Sequence, residues 1–313
     1  LHGFIVPHGD RHLGEYIPKQ ARRLAWLTGF TGSAGMAVVL KERAAVFVDG
    51  RYTLQAEGEV DATLFQSLHL IDNPPAEWIA ANLPAKARLG YDPWLHTPQQ
   101  VARWRAACEK AGARLAALAD NPVDQVWTDQ PAEPIAPVVA HDIAFAGKTA
   151  ADKRREIAAS LAAEKLDAAV LTAPDSIAWL LNIRGGDIPF APLALAFAVL
   201  HADGAVELFM DQRKSTPGLA GHLGDGVAVT GPEVFGAALD RLGAAGKAVR
   251  LDPERAPAWI FERLKKAGAR LAKGDDPCAL PKAVKTPGEL AGIRAAHRRD
   301  GAALCRFLAW LAA

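Results

Sequence analysis

The sequence predicts an α/β protein built from two related modules in tandem, with the start of a further unit behind them. Three observations predict it: a segment that occurs twice, short apolar runs alternating with helical patterns, and a proline-punctuated stretch between the copies. The first copy runs from Leu24 to Tyr52 and the second from Ile177 to Lys214. Each opens on an apolar-Ala-Trp-Leu step, Leu24-Ala25-Trp26-Leu27 and Ile177-Ala178-Trp179-Leu180. A glycine-bearing connection follows, Gly29 to Gly35 in one copy and Gly185-Gly186-Asp187 in the other. Two apolar runs joined by a polar turn come next: Met36 to Leu40 with Ala44 to Val48, then Leu195 to Leu200 with Ala205 to Met210. Each copy closes on an acid two residues before an arginine, Asp49-Gly50-Arg51 and Asp211-Gln212-Arg213.

A chain of 313 residues is long enough for two sizeable cores. Half of it is hydrophobic and 23% charged, the balance of a globular protein. A formal charge of +1 with interspersed signs gives no footprint for nucleic acid or an anionic membrane. No apolar run approaches the roughly 20 residues a membrane-spanning helix needs. The chain opens on Leu1 with no basic-then-apolar leader pattern, so its start reads as trimmed or partly disordered, not secretory. Cys108, Cys278 and Cys305 are an odd set without metal-type spacing, which fits a reducing cytoplasm.

In order, Gly3 to Val6 reads as a buried strand stopped by Pro7, His8 to Pro18 as loop and Gln20 to Leu27 as helix. The repeated strand pair follows, then a helix over Tyr52 to Glu59 with Leu54 among its few large apolar residues, and a strand over Ala62 to Phe65. Pro75 to Leu83 is a helix with proline in its first turn. Leu89 to Tyr91 is a strand, Thr97 opens a helix to Ala111 with a capping-box pattern, and Leu115 to Leu118 is a strand. Between Asn121 and Pro137 four prolines exclude regular helix, so the linker lies here. The second module predicts a helix from Ala150 to Lys165, a strand from Ala168 to Thr172 and a helix from Asp175 to Leu181 capped at or near Asp175. After the second strand pair comes a glycine-rich surface stretch, Pro217 to Gly226. Strands at Val227 to Val229 and Ala248 to Leu251 then alternate with helices at Val234 to Leu242 and Pro257 to Ala267. Thr286-Pro287-Gly288-Glu289 starts a last helix by a second capping box, and no stop signal follows. Leu308, Trp310 and Leu311 still need a cover there. Either this helix packs back on the second module, or a third domain begins here and has been cut away; the second is the expectation.

No catalytic set emerges from spacing. The glycines at 29, 32 and 35 precede a strand and lack the following lysine of a phosphate-binding loop. His8, Asp10 and His12 are the only local metal-type cluster, in a loop with no fourth ligand. Ser33 approximates a nucleophile elbow without its first glycine or its helix, and Cys108 falls inside a helical pattern. Asp49 and Arg51 stand just after a strand, where α/β layers present ligand-contacting groups. The guanidinium could hold a carboxylate or a peptide carbonyl, or it could simply lock the turn by an internal ion pair.

The runs Ile5-Val6-Pro7-His8-Gly9-Asp10 with His12 and Glu15-Tyr16-Ile17, Gly29 to Gly35, Asp49-Gly50-Arg51-Tyr52, Val123 to Asp129, Asp175 to Gly185, and Lys282-Ala283-Val284-Lys285 are spread in order over the chain. Together they resemble the proline-specific aminopeptidases (aminopeptidase P, or Xaa-Pro aminopeptidase). The order and number of these matches point to the long, three-domain type. That resemblance implies two tandem creatinase N-terminal-like domains with mixed sheets flanked by helices, over residues 1–130 and 131–285. It also implies that 286–313 begins a catalytic pita-bread domain whose remainder is missing. It implies hydrolysis of peptides with proline at the second position by two divalent metals, manganese by expectation, held on later aspartates, a histidine and glutamates. On this reading the chain carries no catalytic residue and no metal ligand of its own, is inactive alone, and helps a cytoplasmic homodimer wall off its active site. Arg51 matches an arginine that contacts peptide substrate, and is the one substrate-binding residue expected here. Other readings stay open: a naturally short scaffold or dimerisation protein, or another pita-bread peptidase such as a dipeptidase or creatinase relative.

Overall fold

The computed structural model describes residues 1–313. Six strands form the first sheet: β1 (Gly3–Pro7), β2 (Gly35–Leu40), β3 (Ala44–Val48), β4 (Gln66–His69), β5 (Arg88–Tyr91) and β6 (Arg114–Ala117). Their order is β4-β3-β2-β1-β5-β6. Beyond them come β7 (Val139–Ala140), β8 (Ala168–Leu171), β9 (Ile183–Arg184), β10 (Phe197–His201), β11 (Val206–Phe209), β12 (Val227–Thr230), β13 (Ala248–Leu251) and β14 (Arg270–Lys273). β7 pairs with β9, and the other six form a second sheet in the order β12-β11-β10-β8-β13-β14.

The two sheets share one topology. In each, the first three strands pair antiparallel and the outer strands add parallel on both sides, through β3–β4, β1–β5 and β5–β6 and through β11–β12, β8–β13 and β13–β14. The repeat seen in sequence is therefore a duplicated fold. Both faces of each sheet are buried, as period-two alternation requires when helices cover both sides. On the first sheet Ile5, Val38, Phe47 and Leu89 enter one core, while Phe4, Val6, Val46 and Val48 enter the other. On the second, Leu171, Ala198, Leu200 and Leu208 face one way, and Val170, Phe197, Val199 and Phe209 the other.

The modules are joined by an aromatic seam. Trp94 of the first stacks on Trp259 of the second with 4.0 Å between centroids, and also packs on Phe197 and Phe235. Arg11 lies over the outer face of Trp94 and Arg263 over Trp259. Backbone hydrogen bonds from Ala258 to His96 and from Trp259 to Pro93 fix the helix Ala258–Ala267 against the first module.

Several local expectations need correction. The strand placed at 62–65 lies at Gln66–His69, because Asp61 folds the preceding residues into a turn by accepting from Thr63 N and Oγ1. Within the proline segment a short helix, Pro122–Val126, does form. Asn121 caps it, and Pro122 occupies the first position, where no N–H is needed. Asp175 is not a cap. Ala173 occupies that position in Pro174–Leu181, and Asp175 pairs with Lys282 instead. The 217–226 stretch holds a helix, Leu219–Leu223, that buries both its terminal leucines. Leu54 is exposed, and its helix rests on Ala56. β14 and the short helices Ile143–Ala146 and Ala279–Ala283 carry too little pattern to be read from sequence.

Both capping boxes form. Thr97 and Gln100 cap Pro98–Lys110, and Thr286 and Glu289 cap Pro287–Ala312. The latter helix has no buried residue. Its first turn meets Ile143–Ala146 and Gly147, while Leu304, Phe307, Leu308, Trp310 and Leu311 stand in solvent. Beyond that first turn it does not pack back on the second module.

Candidate functional site

The acid-x-arginine turns follow β3 and β11, and their geometry is the same twice. Arg51 donates from Nε to Asp49 Oδ1 at 3.1 Å and from Nη2 to Oδ2 at 2.6 Å, and its backbone N–H reaches Oδ1 at 2.9 Å. Arg213 repeats these bonds to Asp211 at 3.0, 2.5 and 2.9 Å. The hydrogen bonds from Arg51 hold the Asp49 carboxyl below its usual range, and those from Arg213 bring Asp211 to about 2. A device present in both modules is a turn lock, so the internal ion pair that the spacing allowed is real.

The copies diverge at the next residue. Lys214 turns inward to Asp187, whose carboxylate is fully buried. Tyr52 stays at the surface side of the first module, with the Arg51 guanidinium 5.1 Å above its ring. The Arg51 side chain remains 66% exposed while paired. Its Nη1 has no partner in the chain and is free for a ligand acceptor.

Tyr52 connects this arginine to the glycine turn. Its hydroxyl is 2.8 Å from Ser33 Oγ, and its ring meets Phe30 edge-on. Gly32 is required by this packing, because a Cβ there would lie 2.3 Å from the Phe30 ring. Thr31 is held through N and Oγ1 by Glu59. Ser33 thus contacts a phenol and no histidine, which does not make it a nucleophile. Beside it opens a cavity of about 200 Å³ between the modules, lined by Glu15, Tyr16, Arg22, Ser33 and Phe190 among others.

The other sequence candidates separate. His8 Nε2 bonds the Glu15 carbonyl, whereas His12 Nδ1 reaches Thr172 O in the second module and its ring stacks on Phe197. Asp10 accepts from the amides of His12 and Gly14. Burial lowers the pKa of His12, keeping it neutral. No group of three or more His, Cys, Asp or Glu comes together as a metal site. Cys108 is buried, its thiol pushed up to about 11, and is inert.

Sequence reasoning missed Phe190 and the Asp187–Lys214 pair. A lone phenylalanine between Pro189 and Pro192 was the available signal for the first. Nothing local marks the second, whose partners are 27 residues apart.

Residues 2–124 and 129–289 each match a family described as the creatinase/prolidase N-terminal domain. The chain is 36% identical over 318 residues to a probable Xaa-Pro aminopeptidase P of Coccidioides posadasii, covering 98% of this chain and 48% of that protein. It is 33% identical to aminopeptidase P1 of Arabidopsis thaliana, covering 99% and 52%. An X-prolyl aminopeptidase from Caenorhabditis elegans, described as a cytosolic enzyme with a di-nuclear active site, superposes with a TM-score of 0.92 at 29% identity. That match covers 99% of this chain and 52% of that one. The chain spans about half the length of the curated relatives it matches.

Proposed function

From the premise that this chain belongs to the creatinase/prolidase N-terminal domain family, carrying that domain twice, we propose that it is the non-catalytic N-terminal region of a metal-dependent Xaa-Pro aminopeptidase. One observation carries this reading: both modules, in order and with one duplicated topology, align over 98% of the chain with proteins named Xaa-Pro aminopeptidase P. The complete enzyme releases the N-terminal residue from peptides with proline at the second position. Residues 1–130 and 131–285 are its two non-catalytic domains, and 286–313 opens the catalytic one.

In this reading two divalent metals, manganese by expectation, are held by the catalytic domain and supply its hydrolytic chemistry. This chain's own contribution is to place Arg51. Held at the end of β3 by Asp49 and backed by Tyr52, its free Nη1 can donate to a peptide carbonyl, an acceptor that proline retains although it lacks an N–H. The enzyme works as a cytoplasmic homodimer whose N-terminal domains wall off the active site. No helix here is long and apolar enough to cross a membrane, and the +1 charge offers nothing to nucleic acid.

The test is release of alanine from Ala-Pro-Ala by the full-length gene product with manganese. Activity that a chelator removes, absent from the 313-residue chain alone, is the expected result; a full-length protein inert toward Xaa-Pro peptides ends the proposal. Light scattering of the full-length protein checks the dimer.

A further inference from the structure

Phe190 has a backbone and an environment that a phenylalanine does not choose. Its φ is +63°, in the left-handed region where a bulky side chain is strained, and its side chain is fully exposed. Neither burial nor packing offsets that strain. The loop that carries it is nevertheless fixed from below. Asp187 accepts from Ala136 N, Leu195 N and Lys214 Nζ, Ile188 is buried, and Ile188 bridges Ala191. A rigid base thus presents an exposed aromatic ring on the wall of the 200 Å³ cavity between the modules. Tyr16, 59% exposed, lines the same cavity from the first module.

The rest of the cavity suits a peptide. The amides of Gly32, Ser33 and Phe190 donate to no acceptor in the chain, so they are open to ligand carbonyls. Glu15 and Arg22, both exposed, bring one charge of each sign to the same cavity, so it has no bias toward a purely anionic or cationic ligand. Ser33 ties the cavity to Tyr52 and hence to the Arg51 turn.

We propose that the cavity lined by Tyr16 and Phe190 is a substrate subsite additional to Arg51, in which these aromatic rings hold an apolar or aromatic side chain of an extended peptide. This rests on the peptidase reading above. Aromatic rings held apart by a fixed frame bind such a side chain with little ordering cost. The strain at Phe190 is then retained because the ring acts on a ligand.

Calorimetric titration of this chain with Ala-Pro-Ala-Phe-Ala amide and with Ala-Pro-Ala-Ala-Ala amide tests it. The phenylalanine peptide is expected to bind about tenfold more tightly. Phe190→Ala and Tyr16→Ala should each abolish that preference with circular dichroism unchanged, since both side chains are exposed. Phe190→Gly should lose the preference without lowering the unfolding midpoint, because glycine accepts the left-handed backbone. Equal binding of the two peptides, or a preference surviving in Phe190→Ala, overturns the proposal. Hydrolysis of both peptides by the full-length enzyme separates the two ideas. Cleavage at equal KM sinks the subsite alone, whereas no cleavage alongside discriminating binding sinks the peptidase reading alone.

Discussion

The indole of Trp94 lies on that of Trp259 with 4.0 Å between centroids and an interplanar angle of 20°, and this contact is the centre of the joint between the two modules. Arg11 and Arg263 close the stack above and below. Trp259→Ala should cost about 3 kcal/mol, the usual loss on truncating a packed tryptophan. Calorimetry should then resolve two transitions where the parent shows one, as each module keeps its own core. A single transition with an unchanged midpoint would mean the stack does not couple the modules.

Lys214 and Asp187 form a buried ion pair at 2.7 Å. Removing one partner leaves the other charge buried, so Lys214→Met should destabilise by about 3–5 kcal/mol. The double variant Lys214→Met with Asp187→Asn should recover part of that loss. Urea unfolding measures both, and proteolysis near 188–194 reports release of the Phe190 loop.

Arg51 and Arg213 make the same turn-locking bonds, so either arginine changed to alanine should leave the unfolding midpoint nearly unmoved. They should differ in catalysis. Arg51→Ala in the full-length enzyme is expected to raise KM for Xaa-Pro peptides by about tenfold, and Arg213→Ala to leave it alone. Equal effects would remove Arg51 from the substrate site.

His96 is buried beneath Trp104, which donates Nε1–H to His96 Nδ1 at 3.4 Å, while Nε2 has no partner. Burial lowers its pKa to about 3. Its unfolded value is about 6.5, so between these limits the unfolded chain binds the extra proton and stability falls as pH falls. By pH 5 the loss from this one group should be about 2 kcal/mol. His96→Asn keeps an acceptor for Trp104 and should flatten the stability profile between pH 6 and 4.

The sequence by itself determined the duplication, most strand and helix positions, both capping boxes and the Asp49–Arg51 turn. Each of these depends on neighbours a few residues apart: alternation at period two, a threonine three residues before a glutamine or glutamate, an aspartate two residues before an arginine. Where a local pattern misled, as at 62–65, Asp61 had taken the backbone donors that the strand needed, that of Thr63 by its side chain and those of Leu64 and Phe65 by its carbonyl. Only the tertiary structure decided that His8 and His12 point to different partners, that Lys214 belongs to Asp187 and Trp94 to Trp259, and that Phe190 and Tyr16 line one cavity. Apart from the His8–Glu15 bond, those relationships join residues 27 to more than 160 positions apart. They are set by how two sheets and their helices pack, and short-range periodicity carries no record of that.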